Sequence, residues 1–325
     1  MEELTVFLHN KMRDDSPEDV LDILRQAKWL SGVAESLGRK TLLMPFDIKA
    51  PGALSDLKKE RDLTVVNLCD TAPGEENLAY LSAGILEYLK IKFTGNPMRA
   101  VYLTTDKVLC KKILSEAGVP TAEWFSKSFS SGGFKAGRYI IKALYEDASV
   151  GLEDKSVVDV SSLAELLKAV ENREKELREE CFAERFIDGR EFNACAYGGA
   201  EPTVLPPYEW VFDGFDERGK VKIINYDAKW TEGVFEYDAV KPRYALPEAD
   251  IPLLKEMAEI TRKCWKSLNL RGYARADFRI DKDGKPVVLE INCNPSFYGY
   301  RNIAREKGLD FKEIFKTVLD EAADS

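Results

Sequence analysis

The sequence is nearly without histidine: among 325 residues only His9 is present. A histidine-rich metal site is thereby excluded. His9 closes an apolar stretch and reads as a hydrogen-bonded strand-end residue. No CxxC pair occurs among Cys69, Cys110, Cys181, Cys195, Cys264 and Cys293. That scatter argues against a disulfide framework and for free thiols in a cytoplasmic protein. No run approaches the roughly 20 apolar residues that cross a bilayer. The opening, MEELTVFLHNKMRDD, lacks the pattern of a signal peptide. Basic excess is missing too: 47 Lys plus Arg face 56 Asp plus Glu, for a net charge of −9. Binding to nucleic acid or to an anionic membrane through overall charge is therefore disfavoured. What is present, 45% hydrophobic and 32% charged residues, suits a soluble globular protein, and the length suits two or three domains.

Periodicity gives the organisation. TVFLHN, TLLMPFD and DLTVVNLCD read as strands. Between the first two, Ser16–Gly38 reads as a helix with Ser16 as N-cap and Pro17 in the first helical position. Asn77–Lys90 is a further helix, so the first 95 or so residues form a small open α/β unit. TDKVLCKKILSEAG begins a second segment as a helix. Ser126–Arg138 is rich in glycine, serine and lysine and reads as a flexible loop. RYIIKALYEDASVGL is a strand entering a tight turn, SSLAELLKAVENREKELREE a helix capped by Ser161 or Ser162, and CFAERFI another strand. Later come REFNACAYGG, an irregular stretch from Asp213 to Arg243, a helix over Asp250–Leu268, and a terminal helix from Asp310.

The most informative piece is YARADFRIDKDGKPVVLEIN. Two strands flank a turn at Asp283-Gly284, so facing residues have numbers that sum to 567. Asp277 then opposes Glu290, and Arg275 opposes Asn292, all on one face because strand side chains alternate. Opposed carboxylates repel unless a cation joins them, and Mg2+ prefers such oxygen ligands. Arg275 beside them could neutralise a phosphoryl group or a tetrahedral oxyanion. On spacing alone, a solvated face with Arg275 paired to the acids fits as well, and a bulge could shift the register.

Three further segments suit a nucleotide. In KALYEDASVG, Lys142 precedes a turn at Ser149, Val150 and Gly151 whose amides could cradle phosphate oxygens; an ordinary turn is the alternative. In AERFIDGREF, the backbone after Glu184 can pair with an adenine edge and Glu191 can accept from a ribose hydroxyl, or both acids lie at a strand edge. NYDAKWTEG puts Lys229 and Trp230 in a stretch that reads either as a water-excluding lid or as a loop anchor.

The order TDKVLCKKILSEAGVPT, KALYEDASVG, ERFIDGREF, YDAKW, ARADFRID and LEINCNP resembles the ATP-grasp superfamily, in particular its D-alanine–D-alanine ligase-like members. The resemblance runs from about Val65 to Gly308. It implies an α/β chain of the α+β ATP-grasp type: an N-terminal open preATP-grasp domain (1–98), a central ATP-grasp subdomain (99–188) and a C-terminal one (189–325), with a nucleotide cleft between the last two. It implies that Lys107 and Lys142 contact ATP phosphates and that Ser149, Val150 and Gly151 cover them. Glu184, Phe186 and Ile187 lie at the adenine end, and Glu191 holds the ribose. Asp277, Glu290 and Asn292 bind Mg2+, for which Mn2+ can substitute. Arg275 and Lys229 stabilise the reacting phosphoryl group. The implied reaction is ATP-dependent ligation of a small-molecule carboxylate to an amine through an acyl phosphate. D-alanine joined to D-alanine is one candidate; a different amino acid, hydroxy acid or peptide is the other. A non-catalytic ATP-binding regulator is the contrasting expectation. A homodimer is implied by family analogy alone.

The departures from the family pattern gather on the acceptor side. The glycine-rich opening with its Ser and Glu is replaced by HNKMRDDSPEDV, where Asp14, Asp15 and Glu18 are the available carboxylates. In VVNLCDTAPGEEN, Asp70, Glu75 and Glu76 are candidates for an amino group. Ser296 replaces an expected glycine, Trp230 a common tyrosine, and Arg301 falls near an expected small polar residue. Arg301 suits either a substrate carboxylate or a surface ion pair.

Overall fold

The computed structural model describes residues 2–12, 16–70, 76–147, 149 and 151–322. Val150, Glu75, Asp14 and Asp15 lie outside them. The N-terminal unit alternates β1 (Glu3–Asn10), α1 (Glu18–Ser36), β2 (Thr41–Phe46), α2 (Gly52–Glu60), β3 (Asp62–Asn67), α3 (Leu81–Tyr88) and β4 (Lys92–Phe93). Its sheet is parallel, in the order β2-β1-β3-β4. The apolar stretches in β1 and β3 follow from that arrangement, because helices cover both faces of a parallel sheet. Two sequence expectations change here. Pro17, not Ser16, occupies the N-cap position of α1, and its ring offers no capping side chain. Helix α2 was not anticipated; it is short, and Leu54 is its buried residue.

Two consecutive helices follow, α4 (Met98–Thr105) and α5 (Lys107–Glu116). Asp106 ends the first and caps the second, accepting a 2.8 Å bond from the Leu109 amide. This junction fixes Lys107 in the first turn of α5. The central sheet uses β5 (Trp124–Phe125), β6 (Gly137–Ala143), β7 (Val157–Val160) and, after helix α6 (Leu163–Leu177), β8 (Cys181–Arg185), ordered β5-β8-β6-β7. Ser162 is the cap of α6, while Glu165 reaches back to the Ser161 amide. Leu166 and Val170 of α6 are fully buried against Tyr139, Ile141 and Ala183.

The C-terminal sheet collects β9 (Glu191–Gly198), β10 (Thr203–Val204), β11 (Tyr208–Phe212), β12 (Val240–Arg243), β13 (Gly272–Ile280) and β14 (Pro286–Asn292). Its order is β12-β11-β9-β13-β14, with β10 on β9. Between β11 and β12 lie two short helices, α7 (Tyr226–Trp230) and α8 (Phe235–Ala239); α9 (Ile251–Leu268), α10 (Phe297–Lys307) and α11 (Phe311–Glu321) complete the chain. Met257, Thr261, Cys264, Trp265 and Leu268 form the buried stripe of α9. They pack on Phe192, Ala276 and Phe278 of the sheet.

The hairpin β13–β14 has the expected register: Asp277 pairs with Glu290 and Arg275 with Asn292. A bulge then intervenes between Asp277 and Phe278, so that Phe278 faces Val288. The turn needs Gly284, whose φ is 75°, and Asp281 Oδ1 accepts from the amides of Asp283 and Lys285. At the entry to β9 the backbone approach is closest: a Cβ on Gly189 would fall 1.8 Å from the Ile280 carbonyl oxygen. Among the described residues no helix is long and apolar enough to cross a membrane.

Candidate active site

A cleft with about 1030 Å³ of empty space, counted out to its open side, runs between the central and C-terminal sheets. Its walls bring together Lys107, Lys142, Ser149, Gly151, Glu184, Phe186, Ile187, Glu191, Lys229, Arg275, Asp277 and Glu290, which come from eight separate stretches of chain.

Charge is densest at the hairpin. Arg275 grips Asp277 with two bonds, Nε to Oδ1 at 2.6 Å and Nη2 to Oδ2 at 2.8 Å. Asn193 Nδ2 also donates to Asp277 Oδ1, at 2.5 Å, and the Trp210 indole N–H donates to Asn193 Oδ1. Burial nevertheless raises the Asp277 carboxyl above the ordinary aspartate value, against the pull of Arg275. Glu290 behaves oppositely. Burial works against its charge, but Lys107, Lys142, Lys229 and Arg275 outweigh it and hold the carboxyl down at about 2. Asp277 and Glu290 stand directly opposite each other on β13 and β14 and offer the cleft a pair of carboxylates, an oxygen donor set that fits Mg2+. Asn292 contributes differently: its Oδ1 accepts from the Asn294 amide at 2.9 Å, and it lines a smaller recess of about 510 Å³ beside Asp70, Thr94 and Asn96. Asp147 borders both spaces.

The lysines converge from three elements. Lys107 Nζ donates to the Glu146 carbonyl at 2.6 Å and to Asp147 Oδ1 at 3.1 Å, and stands 3.7 Å from Glu290 Oε2. Lys142 Nζ is 2.5 Å from Glu184 Oε1. Lys229, on α7, has no hydrogen-bond partner among the described residues. Burial and Arg275 lower its pKa, opposed by Glu290, Asp277 and Glu191. Asn225 caps α7, and the Tyr226 hydroxyl donates to Asp19 on α1 at 3.2 Å, so the segment lies across the N-terminal unit.

At the other end, Glu191 is held by Arg279, whose Nη2 is 2.5 Å from its Oε2 and whose Nη1 donates to the Gly189 carbonyl at 2.9 Å. Phe186 and Ile187 lie alongside. The side chain of Glu184 turns from this end toward the lysines, with Lys111 on its second oxygen at 2.7 Å. Burial works to raise the Glu184 carboxyl, and Lys111 and Lys142 together lower it instead.

Some expected residues do not reach the cleft. Arg301 is exposed and lies over the rings of Trp29 and Tyr298, 4.8 and 5.1 Å from their centroids. Ser296 caps α10 and binds Gln26 Oε1 at 3.1 Å. Trp230 is half-buried on α7 and not on the cleft wall. Glu18 pairs with Arg25 at an exposed position. Glu76 joins Glu146 and Glu179, whose carboxylate oxygens lie within 4.8 Å of one another. Sequence reasoning missed Lys111, Asn193, Trp210 and Arg279. Arg279 carried a usable signal, since it repeats the spacing of Arg275 and Asp277 along β13, and Lys111 shares the helical face of Val108, Cys110 and Leu114; Asn193 and Trp210 carried none.

The family model described as "D-ala D-ala ligase C-terminus" matches residues 116–320. The chain belongs to the D-alanine–D-alanine ligase family. The D-alanine–D-alanine ligase of Carboxydothermus hydrogenoformans is 33% identical over 251 residues, covering 73% of this chain and 74% of its own. The Aquifex aeolicus ligase is 28% identical, with 91% and 94% covered. The Bacillus anthracis D-alanine–D-alanine ligase structure superposes with a TM-score of 0.71 at 19% identity, covering 100% and 98%. The ATP-grasp fold, ATP binding and membership among ATP-dependent, carbon–nitrogen bond-forming ligases follow from these likenesses together with the cleft.

Proposed function

We propose that this enzyme ligates D-alanine to D-alanine, using MgATP to activate the first carboxylate. The observation that carries the reading is the convergence of Lys107, Lys142 and Lys229 on the Arg275–Asp277–Glu290 face of one hairpin. A carboxylate oxygen of the first substrate attacks the γ-phosphorus of ATP, the bond to the β,γ-bridging oxygen breaks, and ADP leaves with that electron pair. The amine of the second substrate then attacks the acyl carbonyl, and phosphate departs as the C–N bond forms and the amine loses its proton. Lys107 and Lys142 hold the phosphates, while Lys229 and Arg275 face the charge that builds on the transferring group and on the tetrahedral oxyanion. Asp277 and Glu290, with Asn292 two residues beyond Glu290 on β14, would hold Mg2+, which supplies charge neutralisation to the phosphates. Segment α7, with Ser149 and Gly151, excludes water from the acyl phosphate. Phe186, Ile187 and Glu191 receive the adenosine.

One observation favours a different acceptor. Ser296 is engaged by Gln26 and Arg301 faces outward, so neither is directed at a second substrate's carboxylate. Products with another amine or amino acid form the second reading. The cytoplasm as location is supported by six buried free thiols; a homodimer is checked by light scattering. The function itself is tested by ADP release over D- and L-amino acids, hydroxy acids and dipeptides, with mass detection of the product. D-alanine should give ADP and dipeptide in equal amounts. A dipeptide formed only from another pair removes the D-alanine assignment. ATP binding with no ADP release from any mixture supports a regulator instead. Glu290→Gln should lower turnover about 10²-fold or more with its melting curve preserved; unchanged turnover removes Glu290 from the metal site.

A further inference from the structure

Lys111 lies one helical turn beyond Lys107 on α5, is only 2% exposed and does not line the cleft. Its ammonium nevertheless joins both walls. On one side it lies 2.7 Å from Glu184 Oε2 of β8. On the other it donates to the Leu289 carbonyl of β14 at 2.7 Å, one residue before Glu290. Glu184 itself is 1% exposed and holds Lys142 on its remaining oxygen. A buried carboxylate is thus shared by two lysines, one facing the cleft and one behind it.

The charge balance gives this arrangement its meaning. Glu184 with Lys142 alone would be a closed neutral pair, and an anionic ligand would have to compete with Glu184 for the ammonium. With Lys111 included, the group of three carries a net charge of +1, and the cleft-facing member is Lys142. An apolar side chain of the same length would fill the space behind Glu184 without the desolvation penalty of a buried ammonium. We propose that Lys111 is a positioning residue for ATP binding: by sharing Glu184 and anchoring to Leu289, it leaves the charge of Lys142 directed at the phosphates and fixes the distance between the lysine wall and the Glu290 strand. This rests on the reading of Lys142 as a phosphate ligand.

A charge-sharing role and a packing role differ in sign when Glu184 is changed. In Lys111→Met, Glu184 neutralises Lys142, and the affinity for AMP-PNP with Mg2+, measured by titration calorimetry, should fall about tenfold. In Lys111→Met/Glu184→Gln the competing carboxylate is gone, and affinity should rise severalfold above that of Lys111→Met. Lys111→Arg keeps the charge and should bind within about threefold of wild type. Melting curves accompany each variant. If Lys111→Met does not fold, the double variant, which leaves no unpaired buried carboxylate, carries the test and must still bind AMP-PNP. Unchanged affinity in folded Lys111→Met, or a double variant no tighter than the single one, overturns the proposal. A wild-type chain that binds no AMP-PNP overturns the ATP reading and this proposal with it.

Discussion

Lys229 brings an ammonium to a half-buried place where Arg275 repels it and no carboxylate pairs with it directly. Such a charge stabilises an incoming anion at the expense of the unliganded fold. Its folded pKa lies below the ordinary lysine value, so the charged form costs stability at neutral pH, a cost relieved as pH rises through the lowered pKa. Lys229→Met should therefore lower ADP release about 10²- to 10³-fold while leaving the melting temperature equal or higher. A clear fall in melting temperature would mean that Lys229 serves the fold rather than the reaction. Neighbouring lysines show where residue-level reading stops. Lys107 and Lys142 stand in stretches whose order resembles a known pattern, and both line the cleft. Lys111 and Lys112 are adjacent in sequence, yet Lys111 is buried on Glu184 whereas Lys112 rides over the Phe129 ring at 4.0 Å. Helical spacing puts Lys111 on the face of Val108, Cys110 and Leu114, but its partner comes from a strand more than seventy residues away. Asn193 and Trp210 were hidden for the same reason: each reads as an ordinary strand residue until β9, β11 and β13 are side by side.

Elements built from local periodicity were legible, and those set by distant packing were not. The β13–β14 hairpin is local: period two and a glycine turn fix which side chains share a face, and the bulge displaces the pairing only beyond Asp277. Helix α10 escaped notice because its buried residues, Phe297, Tyr300, Ile303 and Ala304, pack on Phe7, Tyr273 and Phe315 from far along the chain. The segment after β6 adds a pH-dependent feature. Burial, followed by the charges of Glu179 and Glu76, pushes the Glu146 carboxyl up to about 8, with Asp147 adding to the repulsion. The folded value exceeds the ordinary glutamate value of 4.5. The protonated form is thus favoured by folding. Its contribution is complete below pH 4.5 and is lost as pH rises through about 8. Wild-type melting temperature should decline over that window, and Glu146→Gln, which keeps a neutral side chain at every pH, should show a shallower decline. Parallel pH profiles for the two proteins would place the titration elsewhere.

At the scale of the molecule, buried amides join the N-terminal unit to the reaction hairpin alongside a shared apolar core. Asn96, just after β4 and 3% exposed, donates to the carbonyls of Tyr273 at 2.7 Å and Cys293 at 2.9 Å and accepts from the Arg271 amide at 3.0 Å. Asn294 answers from the other side, donating to the Cys69 carbonyl at 3.1 Å and accepting from the Tyr273 hydroxyl at 2.6 Å. Between them Gly95 and Gly272 approach so closely that a Cβ on Gly272 would sit 2.7 Å from the Gly95 nitrogen. These contacts hold the end of β14, and with it Asn292, against the C-terminal ends of the parallel strands. Asn96→Ala removes three hydrogen bonds, two to carbonyls in buried surroundings and one from the part-buried Arg271 amide, a cost of about 3–5 kcal/mol. Melting temperature should fall by roughly 5–10 °C. Because Asn96 touches neither the lysines nor the Asp277–Glu290 pair, AMP-PNP affinity well below the transition should change little. The loss should instead appear as greater proteolytic sensitivity around Gly95 and Gly272, where the two units separate first. An Asn96→Ala protein that melts with the wild type would show that apolar packing of Phe7 and Leu30 on Phe297 and Phe315 is enough to join the units.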